Sequence, residues 1–476
     1  MKEGMRTTIL FLIMGLFGSY ASAQNVWTIE RALQHARENN LEILQARLGI
    51  QRAQVDLKAI RQQRIPSLSF SSNLSNSIGR TIDPTTNAFT TENNYNQSAN
   101  INSGVQLFNG GLVHKQVRQA QFAEQQAMLQ VAETEEDIQL LVVQQFFQVM
   151  FTKENVALSE ANMQLLVEQQ NRIAAEVNAG SKPQNELLEI QAEVARSEQQ
   201  VIAADNQYNL AVLQFKQLLR IPVEEQIEFQ LPPVADVLPN ELDLLSIPEL
   251  RDRALAMAPS LQAAELRVES ASLGIQMAKS QYYPRLSLGG SLSTNFSTAR
   301  RMSIPTGSTI SNQTVYLDGN PVTVGFESPT FRLDPIPYAD QLNENWGLGF
   351  GLQLTIPIYT QGNTSANVQQ ARINYQSAQL QKEQQVNMYT EELERNIADL
   401  KSSYRSYLAA EKTLEASTRF FNNIELSYNV GASTSFELIN AQNRKEEAQT
   451  NFLISKYEYL ARKRGLMIYL KYETLE

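Results

Sequence analysis

Few residues in this chain have types and spacings that support catalysis. Histidine occurs twice, at His35 and His114, far apart and with no neighbouring ligand pattern. Cysteine is absent, which removes disulfides, thiolate metal sites and a lipid-modified N-terminal cysteine. The sequence has no nucleophile elbow, no HExxH, no phosphate-binding loop and no dinucleotide fingerprint, and Gly110-Gly111 alone is too little for one. Glu224-Glu225 falls in a proline-rich stretch where exposed turns are commonplace, and Glu133, Glu135, Glu136 and Asp137 read as a solvated helix face. A net charge of −10 argues against a nucleic-acid partner. The side chains that remain do physical work, by lining, packing and crossing a boundary. The expectation is a protein that is no enzyme and carries no cofactor and no metal.

The elements that would position such residues begin after an export signal. Lys2 and Arg6 precede an apolar run from Ile9 to Phe17, and Ala21-Ser22-Ala23 offers a cleavage site before Gln24. The run is too short to span a bilayer as a helix, and no later apolar stretch approaches the roughly 20 residues needed. The mature chain is therefore either soluble or crosses a membrane as strands.

An internal duplication organises the rest. Gly180, Glu186-Leu187 and Gln191 recur as Gly431, Glu437-Leu438 and Gln442, each 251 residues on. Phe108-Asn-Gly-Gly111 recurs as Tyr359-Thr-Gln-Gly362 at the same offset of 251. Pro66-Ser-Leu68 matches Pro284-Arg-Leu286 at an offset of 218, so the second copy holds about thirty extra residues. They are expected in a long polar loop between Ser297 and Glu344. The predicted organisation is a signal peptide over 1–23, a first repeat over 24–220, a proline-rich connector over 221–246 and a second repeat over 247–476. Each repeat reads helix, strand, loop, strand, helical hairpin.

Four segments alternate with period two. One face carries Leu68, Phe70 and Leu74 in the first; Ile101, Val105 and Leu107 in the second; Leu286, Leu288 and Leu292 in the third; and Trp346, Leu348, Phe350 and Leu352 in the fourth. The opposite faces hold Ser, Asn, Thr and Gly with almost no charge, unlike a soluble sheet exterior. Nine to thirteen residues suit strands crossing a hydrocarbon core at a tilt, which would place the apolar set against lipid. Backbone groups in lipid must all be paired, and the smallest membrane barrels have about eight strands, so four strands require several chains to close one.

Between Leu112 and Val177 no proline occurs, and a helix there would run roughly 100 Å at 1.5 Å per residue. Gly180 and Gly431 suit left-handed helix stops, and Pro183 suits the first turn of the next helix. Leu400, Tyr407, Leu414, Phe421 and Tyr428 recur every seven residues, as coiled coils require. The predicted fold is an α+β membrane protein with long antiparallel coiled-coil hairpins and four membrane strands per chain. A periplasmic coiled-coil scaffold or surface adhesin is the alternative, and it leaves the signal and the strands unexplained.

The duplicated strand–glycine–helix junctions and the two hairpin motifs resemble the TolC family of outer-membrane efflux proteins. The resemblance implies a homotrimer with a twelve-stranded barrel and a periplasmic α-barrel. It implies an exit duct working with a periplasmic adaptor (membrane fusion) protein and an inner-membrane transporter. Glu437 matches an acidic ring that narrows the family's entrance, and a second ring position falls on Asn440. Tyr428 and Glu186 match a hydrogen-bonded latch, while a latch arginine falls on Ser433, opposite Asn185. On physical grounds alone, Glu437 and Glu186 equally read as acids favouring a helix N-terminus.

Overall fold

The computed structural model describes residues 26–82, 89–230 and 247–470, so the expected signal peptide and most of the proline-rich connector lie outside the described residues. The elements in chain order are β1 (Val26–Trp27), α1 (Ile29–Asn39), α2 (Leu41–Gln62), β2 (Ser67–Ile82), β3 (Phe89–Asn109), α3 (Leu112–Asn178), α4 (Gln184–Leu219) and β4 (Glu228–Phe229). They continue with α5 (Ile247–Met257), α6 (Pro259–Lys279), β5 (Arg285–Ser297), β6 (Arg301–Leu317), β7 (Asn320–Pro335), α7 (Tyr338–Glu344), β8 (Gly347–Thr355), α8 (Asn363–Asn429) and α9 (Ser435–Tyr469). The long helices α3 and α8 each have 67 residues, and their starts and ends are both 251 residues apart (363 − 112 and 429 − 178). Among the described residues no helix is long and apolar enough to cross a membrane.

The chain divides into two compact units. The helical unit comprises residues up to 54, 122–270 and from 375 onward. Its main core joins Trp27, Phe146, Phe215, Phe229 and Tyr457, with the parallel pair β1–β4 alongside. A second core gathers Leu393, Ile397, Leu400 and Leu466. The seven-residue series on α8 is the packing seam: Leu400 and Phe421 are buried, and Tyr407, Leu414 and Tyr428 half-buried. On α4, Ile190, Ser197, Ala204 and Ala211 are buried at steps of seven, with a serine holding one place in that register.

The strand unit comprises residues 55–121 and 271–374. Its sheet has the order β2-β3-β5-β8, antiparallel throughout. The register aligns the two predicted faces across all four strands. One row runs Phe70–Ile101–Leu292–Leu348, and the next apolar row runs Leu68–Ser103–Gly290–Phe350. The opposite face runs Ser69–Asn102–Ser291–Gly349 and Ser67–Gly104–Gly289–Gly351. β2 and β3 are longer than predicted, at 16 and 21 residues.

Two expectations are corrected. The stretch read as a long polar loop is mostly the hairpin β6–β7, paired from Arg301↔Pro335 to Leu317↔Asn320. Its turn is Asp318-Gly319 with both φ positive, at 53° and 85°, the twist that matches flanking strands. Leu107 leaves the regular alternation: the ladder slips between Gln106 and Phe108, so Phe108, not Leu107, stands opposite Leu286.

The junction from β3 into α3 depends on Gly110, whose φ is +66°. A Cβ there would lie 2.8 Å from both Ser280 O and Tyr283 Cβ. Lys115 Nζ holds the same turn, donating to Gly110 O at 3.2 Å and Ser280 Oγ at 2.6 Å. Gly110→Ala is expected to destabilise the fold by about 1–3 kcal/mol through clash and backbone strain. Gly111→Ala has open space and should cost less. Equal losses in melting temperature would refute the packing argument.

Candidate functional site: hairpin tips and sheet faces

Both hairpins of the helical unit turn in the same way. Gly180 and Gly431 have φ of +75° and +77°. At the first turn Gly180 N–H donates to Val177 O at 2.9 Å and Ser181 N–H to Glu176 O at 2.9 Å. At the second, Gly431 N–H donates to Tyr428 O at 3.0 Å and Ala432 N–H to Ser427 O at 2.8 Å. This pair of bonds satisfies carbonyls that a helix end leaves open, and it needs a left-handed residue, hence glycine. Pro183 then stands at the N-cap of α4, one position earlier than predicted.

Below each turn sits a small apolar cluster. Leu166, Ile173 and Ile190 close the first hairpin, and Phe421, Leu438 and Ala441 the second, with Leu165 of α3 reaching across to the second.

The tips are joined by a cation that sequence reasoning passed over. Lys182 lies in the first turn with its side chain 22% exposed, and its Nζ meets Glu176 Oε2 at 3.1 Å and Glu186 Oε2 at 3.3 Å. The same ammonium donates to Tyr428 Oη and lies 4.2 Å from that ring's centre. Tyr428 and Glu186 therefore meet through Lys182 rather than directly. Burial alone would lower the Lys182 pKa, but the bonds to Tyr428 and the two glutamates outweigh it and push it up to about 12. Arg172 adds a second tie, donating to Asn429 Oδ1 at 2.6 Å while pairing with Glu176 at 3.3 Å. Burial raises the Glu176 pKa, yet Lys182 and then Arg172 bring it below the usual carboxylate range.

Glu437 is exposed and folded back onto its own helix start. Thr434 N–H donates to Glu437 Oε2 at 2.9 Å and Glu437 N–H donates to Thr434 Oγ1 at 3.2 Å, forming a capping box. Asn440 is exposed and donates to Phe436 O at 2.9 Å. Ser433 is half-buried and Asn185 exposed, and no hydrogen bond joins them among the described residues.

In the strand unit the apolar faces point outward from the chain. Phe350 is 84% exposed and Leu68 76%, while Leu74, Leu348 and Leu352 are similarly bare and Trp346 flanks β8. The rows in which all four strands pair, from Ser67 to Ser71 on β2 and Gly347 to Gly351 on β8, hold no charged residue; Arg285 stands at the start of β5, and Arg80 and Glu92 in the part of the β2–β3 ladder beyond those rows. Among the described residues no strand pairs with the outer edges of β2 and β8.

His35 packs edge-on against Trp27 at 5.2 Å, with Nε2 3.1 Å from Leu219 O; His114 lies 3.4 Å from Arg64. Among the described residues no group of three or more His, Cys, Asp or Glu is placed to hold a metal.

A family model described as outer membrane efflux protein matches residues 32–219 and 250–470. The chain belongs to the outer membrane efflux protein family. As an efflux-family protein it resides in the outer membrane, with its helical part in the periplasm. It is similar to the pyoverdine export outer membrane protein OpmQ of Pseudomonas putida, 24% identical over 210 residues, 43% of this chain and 40% of that protein. It is also similar to the outer membrane protein TolC of Vibrio cholerae serotype O1, 26% identical over 117 residues, 23% of this chain and 25% of that protein. The matched stretches thus span less than half the length of these relatives. Among solved structures, CusC shares 16% identity with a TM-score of 0.72, covering 93% of this chain and 91% of its own. The CmeC outer membrane channel of Campylobacter jejuni shares 15% with a TM-score of 0.70, covering 93% and 85%. These two likenesses concern the fold of the efflux-family chain.

Proposed function

We propose that three copies of this chain form a passive exit duct across the outer membrane. Their sheets close a twelve-stranded barrel, and their hairpins line a periplasmic tube fed by an inner-membrane transporter through an adaptor protein. The two halves of the chain are read as repeats, placing two similar hairpins per copy around the tube. The supporting observation is the sheet: a small-residue face that is uncharged where all four strands pair, a bare apolar face and two edges unpaired among the described residues. An open edge is untenable in lipid, and pairing β2 of one copy with β8 of the next removes it. Purified protein in detergent should have the mass of three chains and should conduct ions in planar bilayers. A monomer that fails to conduct would overturn this reading.

The hairpin tips form the entrance, with Lys182, Glu186 and Tyr428 as its latch and Glu437 as the charged lining. A carboxylate ring at a constriction favours cations over anions. Glu437→Gln keeps an oxygen for the Thr434 cap and removes only the charge. It is expected to weaken block by multivalent cations and to reduce cation selectivity. If block and reversal potential both stay at wild-type values, Glu437 serves as a helix cap alone.

A further inference from the structure

Hairpin β6–β7 leaves the sheet at the end of β5 remote from Arg285, which pairs with Asn109 just ahead of α3. Its ladder slips between Pro305 and Gly307, where Gly307 has φ of +144°, and then runs unbroken to Leu317↔Asn320. From Pro305 to Arg332 every residue but Val324 is exposed, and among the described residues no third strand joins the pair. Two strands alone are marginally stable in water, and a third strand or a packed face is what supports them.

The two faces of the hairpin differ. Ladder partners share a face, so one face carries Val315 with Val322, Leu317 with Asn320, Gln313 with Val324 and Ser311 with Phe326. Five of these eight side chains are apolar and none is charged. Leu317, Phe326 and Val322 are 58%, 47% and 42% exposed. The opposite face is furnished by its own contacts. Glu327 is hydrogen-bonded to Ser308, and Ile310 lies across Gly325, where a Cβ would come within 2.7 Å of Ile310 Cγ2. The acids of this stretch, Asp318 and Glu327, thus stand at the turn and on the furnished face. The apolar face can meet copies of itself without opposing like charges, and a contiguous apolar patch left in water marks an interface.

We propose that this face is covered by the same hairpin of the other two copies, and that the three hairpins stand together as a crown over the external mouth of the duct. The inference rests on the three-copy reading and adds a contact to it. In that reading the helical ends of the strands face the periplasm, so the hairpin rises on the outside of the cell. It joins β5 to the edge strand β8, and so springs from beside the seam where β8 meets the next copy. Closed symmetry brings identical segments to one axis, which favours this occupant over a foreign one. The slip at the base bends the strand that carries it and lets the hairpins lean towards that axis.

Cross-linking of single cysteines on the full chain in outer membranes tests it. Val324→Cys and, as a second position, Val322→Cys lie on the apolar face, and Thr323→Cys lies on the other. With a short bismaleimide, covalent dimers of the chain should form at 324 and 322 roughly tenfold faster than at 323, because thiols held side by side react at high effective concentration. Adding Phe326→Asp to the Val324 variant sets three carboxylates against one another and should slow its cross-linking roughly tenfold. Equal rates on the two faces, in protein with the mass of three chains, would overturn the crown and leave the duct reading standing. So would quenching of a fluorophore at 324 by nitroxide-bearing lipid, which assigns the face to the outer leaflet, or cross-linking at 324 to a different protein. A mass of one chain would overturn the duct reading and the crown together.

Discussion

Replacing Phe350 by arginine is expected to abolish assembly into the outer membrane, whereas replacing Ser291 by arginine is expected to leave assembly intact and change ion selectivity. The two positions lie on neighbouring strands but on opposite faces. Phe350 is 84% exposed, at the end of the row Leu68–Ser103–Gly290–Phe350. In the proposed barrel that side chain would meet hydrocarbon, where a guanidinium costs about 2–4 kcal/mol near the midplane. Three copies would multiply that to roughly 6–12 kcal/mol, comparable with the whole stability of a folded domain. Ser291 sits between Asn102 and Gly349 on the polar face, where an arginine finds water and turns the lumen more positive. The measurement is the heat-resistant oligomer recovered from outer membranes, followed by reversal potentials. Normal recovery of the Phe350 variant would show that this face does not touch lipid.

Lys182→Met is expected to open the entrance, while Lys182→Arg keeps it shut. Methionine preserves much of the stem but leaves Glu176 and Glu186 facing each other without a cation, and it releases Tyr428. Partly exposed charge networks of this kind are worth about 1–2 kcal/mol after solvent screening, so the open population should rise roughly 5–30-fold. Tyr428→Phe should reproduce part of the effect, and the double variant should add little to Lys182→Met, because both break one contact. The pH dependence has a defined sign. The Lys182 value is raised from 10.5 to about 12, so its contribution is complete below 10.5 and is lost as pH rises through about 12. The Glu176 value is lowered from 4.5, so its contribution is present above 4.5 and is lost as pH falls through the lowered value. Opening should therefore be flat across neutral pH and increase only towards strong acid or strong alkali. A latch that loosens between pH 6 and 8 would contradict this assignment.

Much of the fold was legible because the relevant signals are local or periodic. The recurrence of Gly180 as Gly431 marked both hairpin turns, and the alternation of Leu68, Phe70, Leu292 and Leu348 with Ser and Gly marked the faces that the register aligns. Thr434 followed three residues later by Glu437 is a readable capping box, and it gives the carboxylate a local partner beside its proposed place in the lumen. The hairpin β6–β7 is not what the sequence reading expects, although Asp318-Gly319 is a strong turn signal, because an insertion within the second repeat reads as a loop. The slip at Leu107 leaves no mark in a pattern of hydrophobicity, since Leu107 and Phe108 are both apolar. Lys182 was missed for another reason. A lysine between Ser181 and Pro183 reads as a solvated turn residue, and its function depends on Tyr428, 246 positions away.

The absence of native cysteine allows the central assignment to be tested one side chain at a time. Single cysteines at Phe70, Leu292, Phe350, Ser71, Ser291 and Gly349 would be labelled with a fluorophore in the assembled protein in liposomes, then challenged with nitroxide-bearing acyl chains and with a water-soluble quencher. Labels at the first three positions should be quenched from the lipid and labels at the last three from water, alternating residue by residue along each strand. Quenching from water at all six, or no alternation, would mean that the strands do not form a barrel wall.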